Sequence, residues 1–563
     1  MSRLDRVSRI GPAGRALVAV TLTLVLLGSP TSFASQQRSA PQVKVGGTLV
    51  IDNVSGSLWT CGFNPYSSST AGWSAGIFYE PLYYVNALNS STKPWLATAY
   101  AWSNGNKTLT FTIRNNVKWS DGKAFSAADV VYTFNLMKKF SGIDLNAIWT
   151  VLKSVTQQGN KVVLKFKAPS VSFFYYVADQ TFILPQHIWS KISNPVTNTN
   201  KSPVGTGPFT LGSCSPQNIT YKRNPKYWQK GKPYVSEVRY PAFLDNQPGN
   251  QYLASGLAQW GGQYIPNVQS YYLKGNPTRH TWYPPATYNV NLYPNLTQWP
   301  TNILAVRKAI SLGLDRKKVS TLGVYGYLPP ANQTGIILPN WKSWYDSSVA
   351  SKYNYGYSPS KAISLLQKAG FKRGSDGIFK DKSGRKLSLT IVNVGGFTDW
   401  VAECNLISST LKQIGIQVTQ AKLSGNDHTA REQTGHFQLA YDSPTGGPTP
   451  YYQFRQILAS ANTAAIGQTA ASNFERFRSG AVDSLFKRYD NTTSAAVQHS
   501  IINQIQKVML TQLPVIPVLE GVSWYQYDTS KLTSWPTPSN PYATPAPYDY
   551  PDWEVVLTTV HLK

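Results

Sequence analysis

The chain has 563 residues, of which 42% are hydrophobic and 13% aromatic, so it can build a large core and is not a disordered protein. Lys and Arg number 53 against 26 Asp and Glu, which gives a net charge of +27. Because charged residues make up only 14% of the chain, the imbalance is a shortage of acids. No block of five or more basic residues is present, so we expect no nucleic-acid partner. We interpret the shortage of acids as adaptation to an acidic medium or an anionic cell surface.

The first 34 residues have the pattern of an export signal. Four arginines precede an apolar stretch at 16–27, which is too short to span a bilayer comfortably. Small residues at Ser32 and Ala34 predict cleavage after Ala34, followed by a flexible segment at 35–46. No Cys follows the apolar stretch, which argues against a lipoprotein; an uncleaved anchor is the alternative. We therefore predict an extracytoplasmic protein, either periplasmic or secreted to the cell surface.

The predicted elements up to residue 370 include both strands and helices. Ser126 and Asp129 form an acidic variant of the capping box, which predicts that a helix begins there. Ser358, Pro359 and Gly370 bound another helix. The period-2 and period-4 apolar patterns predict strands at 48–51, 109–113, 162–166 and 289–292, and a helix containing Val306 and Ile310.

Residues 387–420 predict a β–α–β unit. A strand at 387–391 is followed by a helix, for which we expect Asp399 to be the cap, and by a second strand at 416–418. Such a unit implies two parallel strands with a right-handed crossover. Ligands bind outside the carboxyl ends of such strands, so residues 394–400 are predicted to lie at a binding edge.

The C-terminal part predicts a helix at 501–510 and a strand at 514–518. The last 30 residues are rich in Pro and Tyr, and we interpret them as an ordered arm that wraps the core. Export permits a disulfide, and Cys61–Cys214 is a conceivable pair. Cys404 lies on the apolar stripe of the predicted helix and is expected to be a buried thiol.

A search for catalytic or metal-binding patterns finds nothing specific. Residues 72–76 match the G-x-S-x-G motif around Ser74, but the hydrophobic strand that this motif requires does not precede it. None of the six histidines has metal-binding helical spacing. We expect no enzyme activity, no metal and no cofactor; the alternative is a secreted hydrolase that uses Ser74 or an unrecognised carboxylate pair.

Six sequence blocks resemble those of one protein family. The blocks are LTFTIRNNVKWSDGKAFSAADVV (109–131), PVGTGPF (203–209), NPKYWQKGKP (224–233), VRKAISLGLDRK (306–317), YSPSKAISLLQKAG (357–370) and PVIPV (514–518). In this order they resemble the extracytoplasmic solute-binding proteins of ABC importers, of the oligopeptide- and dipeptide-binding type (solute-binding protein family 5).

The resemblance implies an α/β fold with two lobes, mixed sheets and a hinge, as in periplasmic binding proteins. It implies lobe I with an extra subdomain at 47–290, lobe II at 291–517 and a C-terminal return to lobe I at 518–563. The partners it implies are a small-molecule ligand held between the lobes and the permease subunits of an ABC transporter. We expect a monomer without catalytic activity.

The family default for the ligand is a short oligopeptide. Peptide binders of this family commonly hold the ligand's ammonium group with an Asp, and in the matching region 440–450 the only acid is Asp442. Stretches at 255–266, 396–400 and 535–543 instead look like a branch that binds β-linked oligosaccharides, so this remains the alternative. The predicted ligand-binding residues are Trp400, Tyr441, Asp442, Trp260, Asn291, Asn289, Trp73 and Trp59.

Overall fold

The computed structural model describes residues 43–67, 70–338, 340–353 and 355–563. The predicted export signal, its cleavage site and residues 35–42 lie outside this part of the chain. Within the described residues, no helix combines the length and the apolar character needed to cross a membrane.

The strands follow the predicted alternation of apolar and polar residues. In the strand Thr108–Ile113, Leu109, Phe111 and Ile113 are buried between half-buried threonines. The described strands, in chain order, are β1 (Thr48–Asp52), β2 (Tyr83–Val85), β3 (Thr92–Pro94), β4 (Ala97–Ser103), β5 (Thr108–Ile113), β6 (Leu152–Gln158), β7 (Lys161–Phe166), β8 (Phe209–Ser215), β9 (Asn218–Arg223), β10 (Glu237–Pro241), β11 (Trp260–Gly261), β12 (Arg279–Thr281), β13 (Pro285–Pro294), β14 (Lys372–Arg373), β15 (Phe379–Lys380), β16 (Ser388–Val394), β17 (Gln417–Leu423), β18 (Leu439–Asp442), β19 (Ile516–Val522), β20 (Gln526–Asp528), β21 (Leu532–Thr533) and β22 (His561–Leu562).

The helices predicted to start at Ser126 and at Ser358 begin there. At Ser126 both capping-box bonds form: the Ser126 N–H donates to Asp129 Oδ2 (2.9 Å), and the Ser126 side chain accepts from the Ala128 N–H (3.3 Å). The described α-helices are α1 (Ala127–Lys139), α2 (Phe174–Ala178), α3 (Gln186–Trp189), α4 (Asn246–Ala254), α5 (Leu304–Gly313), α6 (Arg316–Lys318), α7 (Ser347–Lys352), α8 (Pro359–Lys368), α9 (Thr398–Gln413), α10 (Gly425–Thr434), α11 (Pro450–Leu458), α12 (Gly480–Asp490), α13 (Ala495–Gln512) and α14 (Asp552–Leu557).

Two large mixed sheets form the centres of the two lobes. The first has seven strands in the order β12-β20-β11-β1-β10-β9-β8, with β1 parallel to β10 and β11. The second has five strands in the order β17-β16-β18-β13-β19. A separate antiparallel sheet, β4-β5-β7-β6, packs against α1. The α/β, two-lobed fold class is confirmed.

The predicted β–α–β unit is present in the second sheet. Strands β16 and β17 pair in parallel from Ser388 opposite Gln417 to Val394 opposite Leu423, and α9 connects them. The prediction that Asp399 caps α9 is wrong, since the cap position is Phe397. The first turn is instead capped from the other lobe.

That cap is the side chain of Asn246, whose Oδ1 accepts from the backbone N–H of Thr398 (2.7 Å). A helix N-terminus has unsatisfied N–H groups, and here a residue from the first lobe satisfies one of them. Asp399 is left buried in the first turn of α9.

The C-terminal residues return to the first lobe and are ordered, as the ring-rich composition predicts. Strand β20 joins the first sheet, and α14, which the sequence analysis did not predict, is buried. The Trp553 indole N–H donates to the Ala75 carbonyl (2.7 Å), which ties the two ends of the chain together.

The cysteines are placed as predicted. Cys61 and Cys214 form a disulfide with a Cα–Cα distance of 5.8 Å. The disulfide links the loop that follows β1 with strand β8. Cys404 is a buried thiol in the core of the second lobe.

Several of the few acids are buried and form no ion pair with a basic residue of the described chain. The Trp95 indole N–H donates to Oε1 of both Glu80 and Glu554 (2.8 Å each), and both side chains are fully buried. Burial raises the pKa of both carboxyls, and the neighbouring Glu80 raises that of Glu554 further. Asp552, buried nearby, accepts from the Tyr84 hydroxyl (2.6 Å), and burial raises its pKa to about 6.

We expect the fold to lose stability as the pH rises from about 4 to 6. Asp552 keeps its proton up to about pH 6 when folded, whereas an unfolded Asp releases it near pH 4. The contribution of Asp552 to the free energy of unfolding is therefore complete below the unfolded pKa. It is lost as pH rises through the folded pKa, by about 1.4 kcal/mol per pH unit. The free energy of unfolding, measured with urea between pH 4 and 7, should decline less with rising pH for Asp552→Asn than for wild type. The control Asp427→Asn, at an exposed position, should keep the wild-type decline; equal declines in all three proteins would contradict the prediction.

Candidate functional site

Two neighbouring cavities are walled by residues from both lobes. We name the smaller one, of about 390 Å³, the aromatic cavity, and the larger one, of about 470 Å³, the acidic cavity. They share the lining residues Tyr288, Ser443 and Tyr548. Each lies in the size range of small-molecule sites, and together they can hold an elongated ligand.

The aromatic cavity is named for nine rings in its wall. Loops of the first lobe, the first turn of α9 and the chain after β19 supply most of them. The nine are Trp59, Trp73, Tyr240, Tyr264, Tyr288, Phe397, Trp400, Trp524 and Tyr548.

The loop that the disulfide anchors positions two of these rings. The Trp59 indole N–H donates to the Tyr240 carbonyl (2.8 Å), and that of Trp73 donates to the Gly62 carbonyl (3.0 Å). The two ring centroids lie 4.9 Å apart with planes tilted by 59°. Because both indole N–H groups are bound within the protein, these rings offer mainly apolar surface to a ligand.

Trp400 faces them from the second lobe. It lies in the first turn of α9 and packs edge-on against Phe397 (5.2 Å) and Tyr441 (5.6 Å). Tyr441 is fully buried beneath it. The packing of Tyr441 and Phe397 holds the Trp400 ring at the cavity.

The polar groups of the aromatic cavity are amides, hydroxyls and carboxyls. None of its described lining residues is a Lys or an Arg. Asp399 and Asp442 are the two acids. Burial raises the pKa of Asp399 to about 7, while the Asp442 carboxylate accepts from the Ser443 N–H (2.7 Å). Below neutral pH, Asp399 is thus a neutral hydrogen-bonding group.

The acidic cavity has three carboxyls and one guanidinium in its wall. Asp144, Asp549 and Asp552 are the carboxyls, and burial raises the pKa of each. Arg455 is 4% exposed; it stacks 4.8 Å from the centre of the Phe173 ring and donates to a backbone carbonyl. The charge of the buried Asp490 also acts on Arg455, so its guanidinium is engaged within the protein.

Of the eight predicted ligand-binding residues, four line the aromatic cavity: Trp59, Trp73, Trp400 and Asp442. Their predicted contact with a ligand stays a prediction, but the structure brings all four to one cavity wall.

The other four line neither cavity. Trp260 and Tyr441 are fully buried, and the Trp260 indole N–H donates to a backbone carbonyl (2.8 Å). The side-chain amides of Asn289 and Asn291 also donate to backbone carbonyls (2.9 and 3.1 Å). Their predicted contact with a ligand stays a prediction, and neither cavity wall in this structure includes them.

Several lining residues were not among the predicted ones. Phe397 lies in the 396–400 stretch and Gln263 in the 255–266 stretch, so the sequence blocks carried a signal for both. Asn246 and Tyr548 come from segments without any motif. Only the packing of the lobes brings them to the cavity.

The structure offers no access to the serine of the G-x-S-x-G match. Ser74 is fully buried, and its hydroxyl donates to the Thr70 carbonyl (3.1 Å). A nucleophile must reach its substrate, so Ser74 as placed here cannot be one.

Comparison with solved structures shows the same fold in binding proteins with different ligands. A mannohexaose-bound periplasmic oligopeptide-binding protein from Thermotoga maritima superposes with a TM-score of 0.87 at 25% identity, covering 92% of this chain and 98% of that chain. The oligopeptide-binding protein AppA from Bacillus subtilis, solved with a nonapeptide, superposes with a TM-score of 0.80 at 21% identity, covering 93% of this chain and 100% of that chain. Among curated proteins, the nickel-binding periplasmic protein of Escherichia coli is 24% identical over 80% of this chain and 88% of its own length.

A family model also matches the sequence itself. It covers residues 91–465, about two thirds of the chain, and describes the bacterial extracellular solute-binding proteins, family 5 Middle. With the two-lobed fold and the cavities between the lobes, this match shows that the chain belongs to the family 5 solute-binding proteins, the type that serves ABC importers.

Proposed function

We propose that this protein is the extracytoplasmic substrate-binding component of an ABC importer, and that it encloses a short oligosaccharide and delivers it to a membrane permease. It acts as an exported monomer and does not alter its ligand. The observation that supports the ligand class is the wall of the aromatic cavity, whose described residues combine nine rings with amides and two carboxyls and include no Lys or Arg. Such a wall suits a neutral ligand with flat apolar faces and many hydroxyls.

A short oligopeptide is the second candidate, and it is the ligand class of several relatives. Asp442 and Asp399 could accept hydrogen bonds from the ammonium group of a peptide. The terminal carboxylate of the same peptide would meet no cation in the aromatic cavity and only the engaged Arg455 in the acidic cavity. A buried unpaired carboxylate is costly, so the described charges favour the neutral ligand.

The lobes would open and close where the chain crosses between the two sheets. These crossings are the short segments 282–284 and 523–525, and they lie side by side. The Trp282 N–H donates to the Tyr525 carbonyl (3.1 Å), and the Ser523 N–H donates to the Pro284 carbonyl (3.0 Å). We place the hinge at this pair of hydrogen-bonded segments.

The lobes touch directly beside the aromatic cavity. The Asn246 N–H of the first lobe donates to the Gly396 carbonyl of the second (3.1 Å). A Cβ atom at position 396 would lie 1.8 Å from the Leu244 carbonyl oxygen, so only glycine permits this approach.

The first test of the proposal is a ligand panel. β-Linked gluco- and manno-oligosaccharides of two to six units should raise the melting temperature, because a ligand at 100 times its Kd adds about 2.7 kcal/mol of stability. Di- to pentapeptides should not, and calorimetric titration would confirm any shift. A response to peptides alone would establish the second candidate, and a response to neither class would contradict the proposed ligands.

Removing one ring should weaken binding without unfolding the protein. Trp400→Ala takes away a stacking face in the aromatic cavity, and we expect a Kd about tenfold to a hundredfold higher for the oligosaccharide that binds wild type. The control is Trp344→Ala, whose ring stacks on His499 and lines neither cavity. Equal affinities of the two variants would contradict a role for Trp400.

Blocking the approach of the lobes should also weaken binding. Gly396→Ala places a methyl group against the Leu244 carbonyl, so the closed state is destabilised and the Kd should rise by about tenfold or more. Gly480→Ala is the matched control, since a Cβ atom there has no neighbour within 4 Å. Calorimetry measures both values; an unchanged Kd for Gly396→Ala would show that closure does not depend on this contact.

A further inference from the structure

A compact group of potential metal ligands lies beside the aromatic cavity. His428 and Glu432 are four residues apart on α10 and therefore share one face of the helix, and Asp442 ends β18 opposite them. One ligand atom from each of the three residues lies within 4.8 Å of the other two. The His428 Nδ1 atom is 3.5 Å from Glu432 Oε2.

Two of these groups are buried with unused polar atoms. His428 is 3% and Glu432 is 2% exposed, and within the described chain His428 Nε2 and Glu432 Oε1 have no hydrogen-bond partner. A third buried carboxyl, Glu475, acts on Glu432 through its charge and has neither oxygen hydrogen-bonded among the described residues. Buried polar groups of native proteins usually have partners, so these atoms indicate a missing one.

No Lys or Arg of the described chain is within ion-pair distance of this group, although the charge of Arg476 acts on Glu475. Among the described residues, neither Lys nor Arg forms an ion pair with Glu432, Asp442 or Glu475. The guanidinium of Arg476 donates instead to the backbone carbonyls of Glu432 and Gln433. A neutral imidazole with two carboxylates is a donor set that suits a divalent transition metal.

We propose that His428, Glu432 and Asp442 form a binding site for a divalent transition-metal ion at the edge of the aromatic cavity. Asp442 connects the two sites, because it lines the cavity and belongs to the cluster. The ion would supply the positive charge that the buried carboxyls lack.

The test uses untagged full-length mature protein, stripped with EDTA and titrated with Zn²⁺ at pH 7 in the absence of any sugar or peptide. We expect one Zn²⁺ per chain, a raised melting temperature, and visible absorption when Co²⁺ replaces Zn²⁺. Glu432→Gln and His428→Gln should each weaken Zn²⁺ binding by at least about tenfold, the lower bound for residues that only support a metal ligand. His436→Gln, on an exposed histidine, is the control and should bind as wild type does.

Glu432→Gln keeps the size and shape of the side chain, so its fold should survive in EDTA, which near-UV circular dichroism would verify. Asp442→Asn, at the half-buried edge of the cluster, provides a second variant if a buried substitution fails to fold. Failure of the wild type to bind one Zn²⁺ overturns the proposal without any variant. Unchanged binding by folded Glu432→Gln or Asp442→Asn also overturns it. The oligosaccharide assays are independent of these outcomes.

Discussion

The antiparallel pairing of β13 with β19 brings together the two places where the chain crosses between the sheets. The crossing segments are hydrogen-bonded to each other, so the two lobes share one narrow, two-stranded connection. Both cavities lie at this junction, and Tyr288 and Trp524, which lie on or next to these strands, line the aromatic cavity. A two-stranded connection resists shearing but allows bending, which is the mechanical property that a protein closing on its ligand needs.

The scarcity of acids and their burial have a common consequence. Glu80, Glu554 and Asp552 are buried and form no ion pair with a described basic residue, and burial raises the pKa of each, so they are held most stably as neutral acids. The large positive charge is then carried by basic residues that few carboxylates offset. Both features suit an acidic medium, where neutral acids inside the protein cost little and surface carboxylates would be partly protonated.

Both lobes supply residues to the wall of the aromatic cavity. The first lobe supplies Trp59 and Trp73 from a loop that the disulfide anchors, and the second supplies Phe397, Asp399 and Trp400 from the first turn of α9. The Asn246 side chain of the first lobe caps α9, so contact between the lobes completes this helix terminus. The candidate metal cluster adjoins the same wall through Asp442, which would link ion and solute in one region.

The sequence by itself determined the elements whose causes are local. The capping box at Ser126, the β–α–β unit at 387–420 and the alternation in β5 depend on residues a few positions apart, and all three are found in the structure. The six family blocks predicted the fold class for a similar reason, because they contain turn and cap residues that act locally and that are shared by proteins of the same fold. Tertiary structure alone decided that Trp400 lies at the cavity while Trp260 is buried, because both are tryptophans in similar sequence surroundings. It also decided the cap of α9, for which Asn246 replaces the expected Asp399: that contact joins residues about 150 positions apart, and no local pattern encodes the approach of two lobes.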